Sequence, residues 1–439
     1  MTLLEKYSKR LSLAESLYAQ KHNGEKMDKM KSVAIAKCLD TTSKFLTEAY
    51  DLSGSATQRS AMGDYKKFCV ALTNVALPNL IAFDLVAVSP MSALTGSISY
   101  VEYVKGTTKG ASSADDLTNG VFGLGKMDVN YTGNAVVEPV ADYQSGTTKV
   151  AFTPVIDGSV KLLAADGTDV TPAEGCTVAE DGTITGTATG TVAKIAYVYN
   201  NEIIPQTVLP TLKARLTNVA LEAKPRRLAI YYSQLALFQA KTDYGFSLAD
   251  GLGEQAVSQI AYETDSEIVD MLYQAATEDS AIEPFNKKIP TGSVQAINTS
   301  IFYAGFATKI EEYKMSVYNK TRKFMPNYMV IAPDVMPIIT FVPGFEAAAV
   351  DSVTGPYMAG TINGVKVFVS PNLEASTFFF GVNQGELNAT AGVYAPYMPC
   401  VPTQLLESAD GTNSQGFASL YDCKVLNADL LIKGKIINE

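Results

Sequence analysis

The sequence predicts an α+β fold interrupted by a small all-β, sandwich-like module. Three observations carry this. Helical and strand-like stretches come in runs rather than in strict alternation, which speaks against a doubly wound parallel sheet. Glycine crowds into one segment, with 13 of the 32 falling in residues 106–205. That segment is also rich in threonine and in Asp-Gly and Gly-Thr pairs, the punctuation of short antiparallel strands.

In chain order, residues 1–20 and 28–50 have helical spacing, the second through Met30, Val33, Ala34, Ala36, Cys38, Leu39, Phe45, Leu46 and Ala49. "DLSGSATQRS" breaks that pattern, and residues 63–76 return to it before Pro78 stops them. The run "LPNLIAFDLVAVSPMSALTG", residues 77–96, opens almost wholly apolar and is expected to bury one strand. Its one acid, Asp84, then requires a partner, because a buried lone carboxylate is costly. "SISYVEYVKG" alternates like a strand. The runs "TKVAFTPV", "GSVKLLAADGT", "GTITGTATGT" and "AKIAYVYNNE" place the inserted β module at about 145–203. "LKARLTNVALEA" reads as a returning strand. Lys224-Pro225 then suits the opening of a helix whose apolar side is Leu228, Ile230, Tyr231, Leu235 and Phe238. A longer helix is predicted at about 248–276 and a third at about 297–318. "YMVIAPDVM" reads as a strand and a helix start, and "TINGVKVFVSP" as a hairpin turning at Asn363-Gly364. "TFFFGVN" and "ASLYDCKVLNADLLIKGKI" supply further strands.

Composition excludes several functions. The net charge of −10 opposes general binding to nucleic acid, which depends on Lys and Arg neutralising phosphates. The charge is uneven: residues 1–31 hold seven Lys/Arg and four acids, while residues 106–205 hold twelve acids and five lysines. Charged residues are 18% of the chain against a usual ~25%. With 23 Tyr and 18 Phe, that suits either a large core or a surface covered by other chains. The five cysteines (Cys38, Cys69, Cys176, Cys400, Cys423) are dispersed and read as reduced thiols. With His22 the single histidine, a zinc site is not expected. No stretch has the length of a membrane span or the apolar core of a secretory signal.

No catalytic, cofactor-binding or metal-ligating residue is assigned. Gly120 to Lys126, "GVFGLGK", approaches a phosphate-binding loop, but Met127 stands where a hydroxyl must ligate magnesium, and no strand precedes it. "GLGE" at 251–254 fits a helix start better than a dinucleotide fingerprint. Ser/His/Asp chemistry would depend on His22 in a polar stretch. "TFFFG" and "YYSQ" lack the flanking basic residues of base-stacking platforms, so packing is the better reading.

One resemblance links a colinear series of segments. "LPNLIAFDLVAVSPMSALTG", with Pro78 to Asp84, Pro90-Met91 and Thr95-Gly96, resembles a stretch of the major capsid proteins of T-even-type contractile-tailed bacteriophages. Downstream, "LEAKPRRLAIYYSQLALFQAKTDYGFSLADGLGEQAVSQIAYETDSEIVDMLY", "YMVIAPDV", "GTINGVKVFVSP", "FFFGVNQG", "GVYAPYMPC" and "GFASLYDCKVLNADLLIKGKI" are similar to that family in the same order. The likeness covers most of residues 40–105 and 212–439.

The resemblance implies an HK97-like capsid fold. Residues 1–76 would be an N-terminal arm, and residues 77–103, 212–289 and 401–439 a peripheral domain on a spine helix. Residues 104–211 would be an E-loop region carrying the β module, and 290–400 an axial domain. It implies a major capsid protein, not an enzyme, that assembles as hexamers and pentamers into the icosahedral shell around phage dsDNA. Implied partners are copies of itself, scaffold, portal, minor or decoration proteins, and DNA held non-specifically on the inner face, with no membrane and no cofactor. Its place would be the virion. The alternatives are a pentamer-specific vertex paralogue, an encapsulin-like shell, or, from another class, a surface β-domain binding protein. Family members lose an N-terminal segment after a Leu/Ile-x-Glu sequence. Leu46 to Glu48 and Leu3 to Glu5 match it, yet the expectation here is that the segment before Glu48 is retained.

Overall fold

The computed structural model describes residues 3–21, 26–51, 80–110, 114, 131–200, 202, 209–245, 248–288, 299–321, 323–348, 355–403, 406–408 and 411–438. The chain divides into two compact units, one of residues 1–99, 218–319 and 324–439, the other of residues 100–217 and 320–323. The expected helix at 63–76 lies outside the described residues.

The larger unit contains two sheets. The five-stranded sheet joins Ala87–Val88 in parallel to Gly392–Pro402, which pairs antiparallel with Thr412–Val425. Thr412–Val425 also takes Lys224–Ser233 and the short Leu406–Glu407 as antiparallel partners. The helix Leu248–Ala275 lies on this sheet, packing Ala256, Val257 and Ile260 against Cys400, Phe417, Leu228 and Ile230. The helix Lys29–Asp51 packs on Gly392–Pro402 and buries Ile35, Cys38 and Leu39.

The eight-stranded sheet runs Thr277–Glu278, Ile432–Ile437, Thr377–Gly381, Tyr328–Ile331, Val365–Val369, Tyr357–Ile362 and Phe345–Ala347, with Phe285–Asn286 also beside Ile432–Ile437. Its centre explains the "TFFFG" run. Phe378 meets Phe306 and Tyr313 edge-on at 5.5 and 5.2 Å, both residues coming from the helix Phe306–Thr321. Phe379 points the other way, to Tyr273 of the long helix at 6.2 Å and to Tyr328 at 6.5 Å. A strand covered on both faces is apolar throughout rather than alternating. Gly434 lies so close beneath this cluster that an added Cβ would stand 2.5 Å from Phe378 and 2.7 Å from Tyr313. The hairpin turn is where the sequence placed it, with Asn363 and Gly364 both at positive φ.

Among the described residues, the 100–217 part of the smaller unit is all β. Ala135–Pro139, Lys194–Val198 and Lys161–Leu163 form an antiparallel sheet, and Thr177–Val178 pairs with Ile184–Thr185. It has its own core, which includes Val136, Phe152, Leu162, Ile184, Ile195 and Tyr197. Lys109 is buried beside that core. Its ammonium donates to the Tyr131 carbonyl (3.0 Å) and the Tyr199 hydroxyl (2.8 Å), over the faces of Tyr199 and Phe152.

Four expectations are corrected. Lys224–Ser233 is a strand, and only Gln234–Gln239 is α-helical there. Leu228, Ile230 and Tyr232 alternate inward, a period of two, and Pro225 is tolerated because this strand is paired on one side only. The apolar run forms one helical turn, Ala82–Leu85, before the two-residue strand Ala87–Val88, because Asp265 of the long helix accepts the Ile81 and Ala82 amides, each at 3.2 Å. The third helix is two, Thr299–Ala304 and Phe306–Thr321, broken at Gly305. The β module's sheet begins at Ala135 rather than 145, since Ala135–Pro139 is the full-length partner of Lys194–Val198. In addition, a boundary at 400/401 would cut the strand Gly392–Pro402, and Ile432–Ile437 belongs to the eight-stranded sheet.

The N-terminal segment is helical, with Leu3–Lys6 and Ser8–Lys21 preceding Lys29–Asp51. Asp40 holds it together, accepting from Lys6 at 2.6 Å and Tyr7 at 3.2 Å and pairing with Lys44 at 2.9 Å. Those bonds, Lys44's first and then Lys6's, lower the Asp40 carboxyl to about 2. A carboxyl depressed in the folded state contributes stability above its unfolded value of ~3.9, and loses it as pH falls through the folded value. Hydrogen-exchange protection factors in residues 3–21 and 29–44 are therefore expected to fall between pH ~4 and ~2, and Asp40→Asn is expected to abolish that step.

Candidate functional site

The acid singled out in the apolar run sits at a junction of three chain segments. Asp84 lies in the capped turn Ala82–Leu85, and its side chain is only 4% exposed. Its Oδ1 accepts from Lys31 of the helix Lys29–Asp51 at 2.9 Å and from the Tyr18 hydroxyl at 3.1 Å. Lys31 also donates to Tyr18 at 2.8 Å and lies over its ring. Lys366, from the strand Val365–Val369, stands 3.7 Å from the same oxygen. The Asp84 carbonyl accepts from Asn383 Nδ2 at 2.9 Å, while the Asn383 amide donates to Asn327 Oδ1 at 2.9 Å. A cleft of about 370 Å³ opens beside the junction, with Asp28, Lys31, Asp84 and Lys366 among its walls. Two acids and two lysines leave it without net charge.

A second polar strap crosses the long helix. Glu267 accepts from the Tyr421 hydroxyl at 2.6 Å and from Arg226, whose guanidinium lies over the Tyr421 ring. Both arrangements join structural elements.

The sequence's other chemical candidates fall apart in space or into the core. Gly251 to Glu254 lie inside the helix Leu248–Ala275. Phe378, Phe379 and Phe380 are buried, while the "YYSQ" pair is split, Tyr232 inward and Tyr231 outward. Cys38, Cys176 and Cys400 are buried and in no disulfide, and Cys423 is half-buried. Gly120 to Lys126, His22 and Cys69 lie outside the described residues. Among the described residues, no group of three or more His, Cys, Asp or Glu is placed to hold a metal, and no helix is long and apolar enough to cross a membrane.

What sequence reasoning missed is a surface. Among the described residues, Thr95–Lys105 and Leu212–Glu222 pair only with each other, as a two-stranded ribbon with most positions exposed. Leu212, Leu216, Val101 and Tyr103 are all exposed on it. Glu102 pins the strands together through Arg215 at 2.7 Å and Thr217 at 2.7 Å. The alternation in "SISYVEYVKG" was legible, but alternation does not reveal that a ribbon has no third strand.

At the junction, Asp84→Ala strands Lys31 and Lys366 in a site built for a counter-charge. Removing one member of a buried pair costs about 3–5 kcal/mol. The upper part of that range is not expected, because Lys31 keeps Tyr18 as an acceptor. The urea midpoint should fall accordingly, and a fall no larger than that of an exposed control such as Glu202→Ala would refute the buried-pair reading.

Comparison with known proteins gives the family. The chain is 24% identical over 384 residues to the major capsid protein of Enterobacteria phage T6, covering 79% of this chain and 75% of that protein. It is 23% identical over 384 residues to the major capsid protein of Enterobacteria phage T4, covering 79% and 72%. Among solved structures, a chain of Microbacterium phage Oxtober96 aligns with a TM-score of 0.37 and 11% identity, over 82% of this chain and 91% of that one. A chain from the capsid structure of Cyanophage P-SCSP1u aligns with a TM-score of 0.36 and 11% identity, over 82% and 89%. The family model for the major capsid protein Gp23 matches residues 62–435, which spans both sheets and the β unit. The chain therefore belongs to the Gp23 major capsid protein family and is a structural subunit of a tailed-phage head shell.

Proposed function

We propose that the chain builds the shell purely as an interlocking subunit, in hexamers and pentamers, with no catalysis of its own. The observation that carries this is the ribbon of Thr95–Lys105 and Leu212–Glu222. A lone two-stranded ribbon is marginal in water. One that also exposes Leu212 and Leu216 is suited to lie on another copy. In the HK97-like scheme it is the root of the E-loop, and the β unit extends from it. The five-stranded sheet with the helix Leu248–Ala275 takes the part of the peripheral domain and its spine. The eight-stranded sheet takes the part of the axial domain. Residues 1–76 correspond to the arm, although their described helices are folded onto the peripheral sheet.

Charge supports a sidedness. Residues 1–31 carry seven Lys/Arg against four acids, which suits a face toward packaged DNA. Residues 106–205 carry twelve acids against five lysines, which suits a face toward solvent. Scaffold, portal and minor or decoration proteins are the further partners of a shell of this kind.

Sedimentation followed by electron microscopy of the fastest fraction tests the reading, with rings of five or six or closed shells expected. Leu212→Ser with Leu216→Ser should leave the melting curve within about 0.5 kcal/mol of the parent, as exposed substitutions do. The same variant should reduce rings and shells at least ~10-fold, the equivalent of ~1.4 kcal/mol. Assembly at the parental yield would remove the ribbon from the interface. On intact particles, proteases should cut within 145–203 and spare 1–31, and the opposite pattern would reverse the sidedness.

A further inference from the structure

A second exposed apolar surface lies on the larger unit, built from elements other than the ribbon. Tyr231, Leu235, Phe238 and Leu406 are 72%, 68%, 67% and 66% exposed. Three of them fall within eight residues of chain, where the strand Lys224–Ser233 runs directly into the helix Gln234–Gln239. Ser233 fixes that passage by capping the helix, its hydroxyl accepting the Ala236 amide at 3.1 Å. Leu235 and Phe238 stand three apart on the helix, one turn above each other. Tyr231 is in register with Ser414, and Ser414 with Leu406, so these three form one row across adjacent strands and their side chains share a face. The corner is thus a fixed part of the fold, anchored by the buried neighbours Tyr232 and Phe417.

Its charge pattern and its area together suit a second copy of the chain. From Ile230 to Ala240 the sequence is "IYYSQLALFQA", eleven residues without a single charge. A patch that carries charge repels its own image when two copies meet around a symmetry axis, and a neutral apolar patch does not. The area also suits self-contact. Four large side chains exposed to this degree present roughly 500 Å², so two copies would bury roughly 1,000 Å², the threshold of a specific interface. We propose that this corner meets the same corner of a neighbouring copy, forming an intersubunit contact distinct from that of the ribbon. The inference rests on the shell-subunit reading.

The test uses charge to read the geometry. Phe238→Asp and Phe238→Lys are made in the full chain, and each is checked for a parental melting curve, which exposed positions should preserve. Each variant alone is expected to lose at least ten-fold in rings and shells by sedimentation and microscopy, because like charges then face each other. Mixed in equal amounts, the two should assemble together, because opposite charges then meet. Parental yield from either variant alone would overturn the self-contact. So would a mixture that stays unassembled while both variants remain folded, an outcome pointing instead to a different protein as the occupant. Failure of the parent chain to form any ring or shell would defeat the shell-subunit reading itself, and this inference with it.

Discussion

The Asp84 carboxylate is nearly dry, and its charge is met by cations from two distant parts of the chain. Lys31 reaches it from the N-terminal helices and Lys366 from the eight-stranded sheet. The turn that presents it is in turn capped by Asp265 of the long helix. The N-terminal helices, the long helix and both sheets therefore depend on one arrangement about residues 81–88. Burying a charge is unfavourable by itself and is offset only when geometry and extra hydrogen bonds are both good. Tyr18 and Asn383 supply those bonds. The junction thus contributes more to specifying how the segments meet than to net stability, which comes from the aromatic and aliphatic burial around it.

Much of this was legible in the sequence, for identifiable reasons. The long helix, the Asn363-Gly364 hairpin and the C-terminal strands carry strong local signals that tertiary packing did not overturn. The need of Asp84 for a partner followed from one acid in an apolar run. Which residues would answer it did not, because Lys31 and Lys366 are brought there only by the folding of remote segments. The stretch after Lys224 is ambiguous because Leu228, Tyr231, Leu235 and Phe238 fit a helical stripe while Leu228, Ile230 and Tyr232 fit an alternating strand. The long pairing with Thr412–Val425 decides between them, and no local pattern records that pairing. The start of the β unit was placed ten residues late, since Ala135–Pro139 shows itself as a strand only beside Lys194–Val198.

The same physics separates the surfaces that finish the fold from those that do not. In the eight-stranded sheet, aromatic residues are covered on both faces, down to a glycine kept bare beneath Phe378. On the ribbon and at the Tyr231–Phe238 corner, side chains of the same kind stay exposed. Both features lie on regular, hydrogen-bonded elements, so their exposure is built into the backbone rather than arising from frayed ends. A chain that keeps apolar area on fixed elements has formed half of an interface.

The same division shows in how the fold uses its buried polar groups. Asp40, Asp84 and Glu267 are engaged by lysines, tyrosines or an arginine that tie helices to each other or to sheets. Asp265 is engaged by backbone amides. Lys109, deep in the small unit, is held by neutral oxygens and aromatic faces. Each of these groups is engaged by its own fold. In a shell, whose strength comes from repeating moderate contacts many times, saturated polar groups inside and unsaturated apolar area outside are the two complementary requirements. The first gives every copy the same shape, and the second gives the copies a reason to meet.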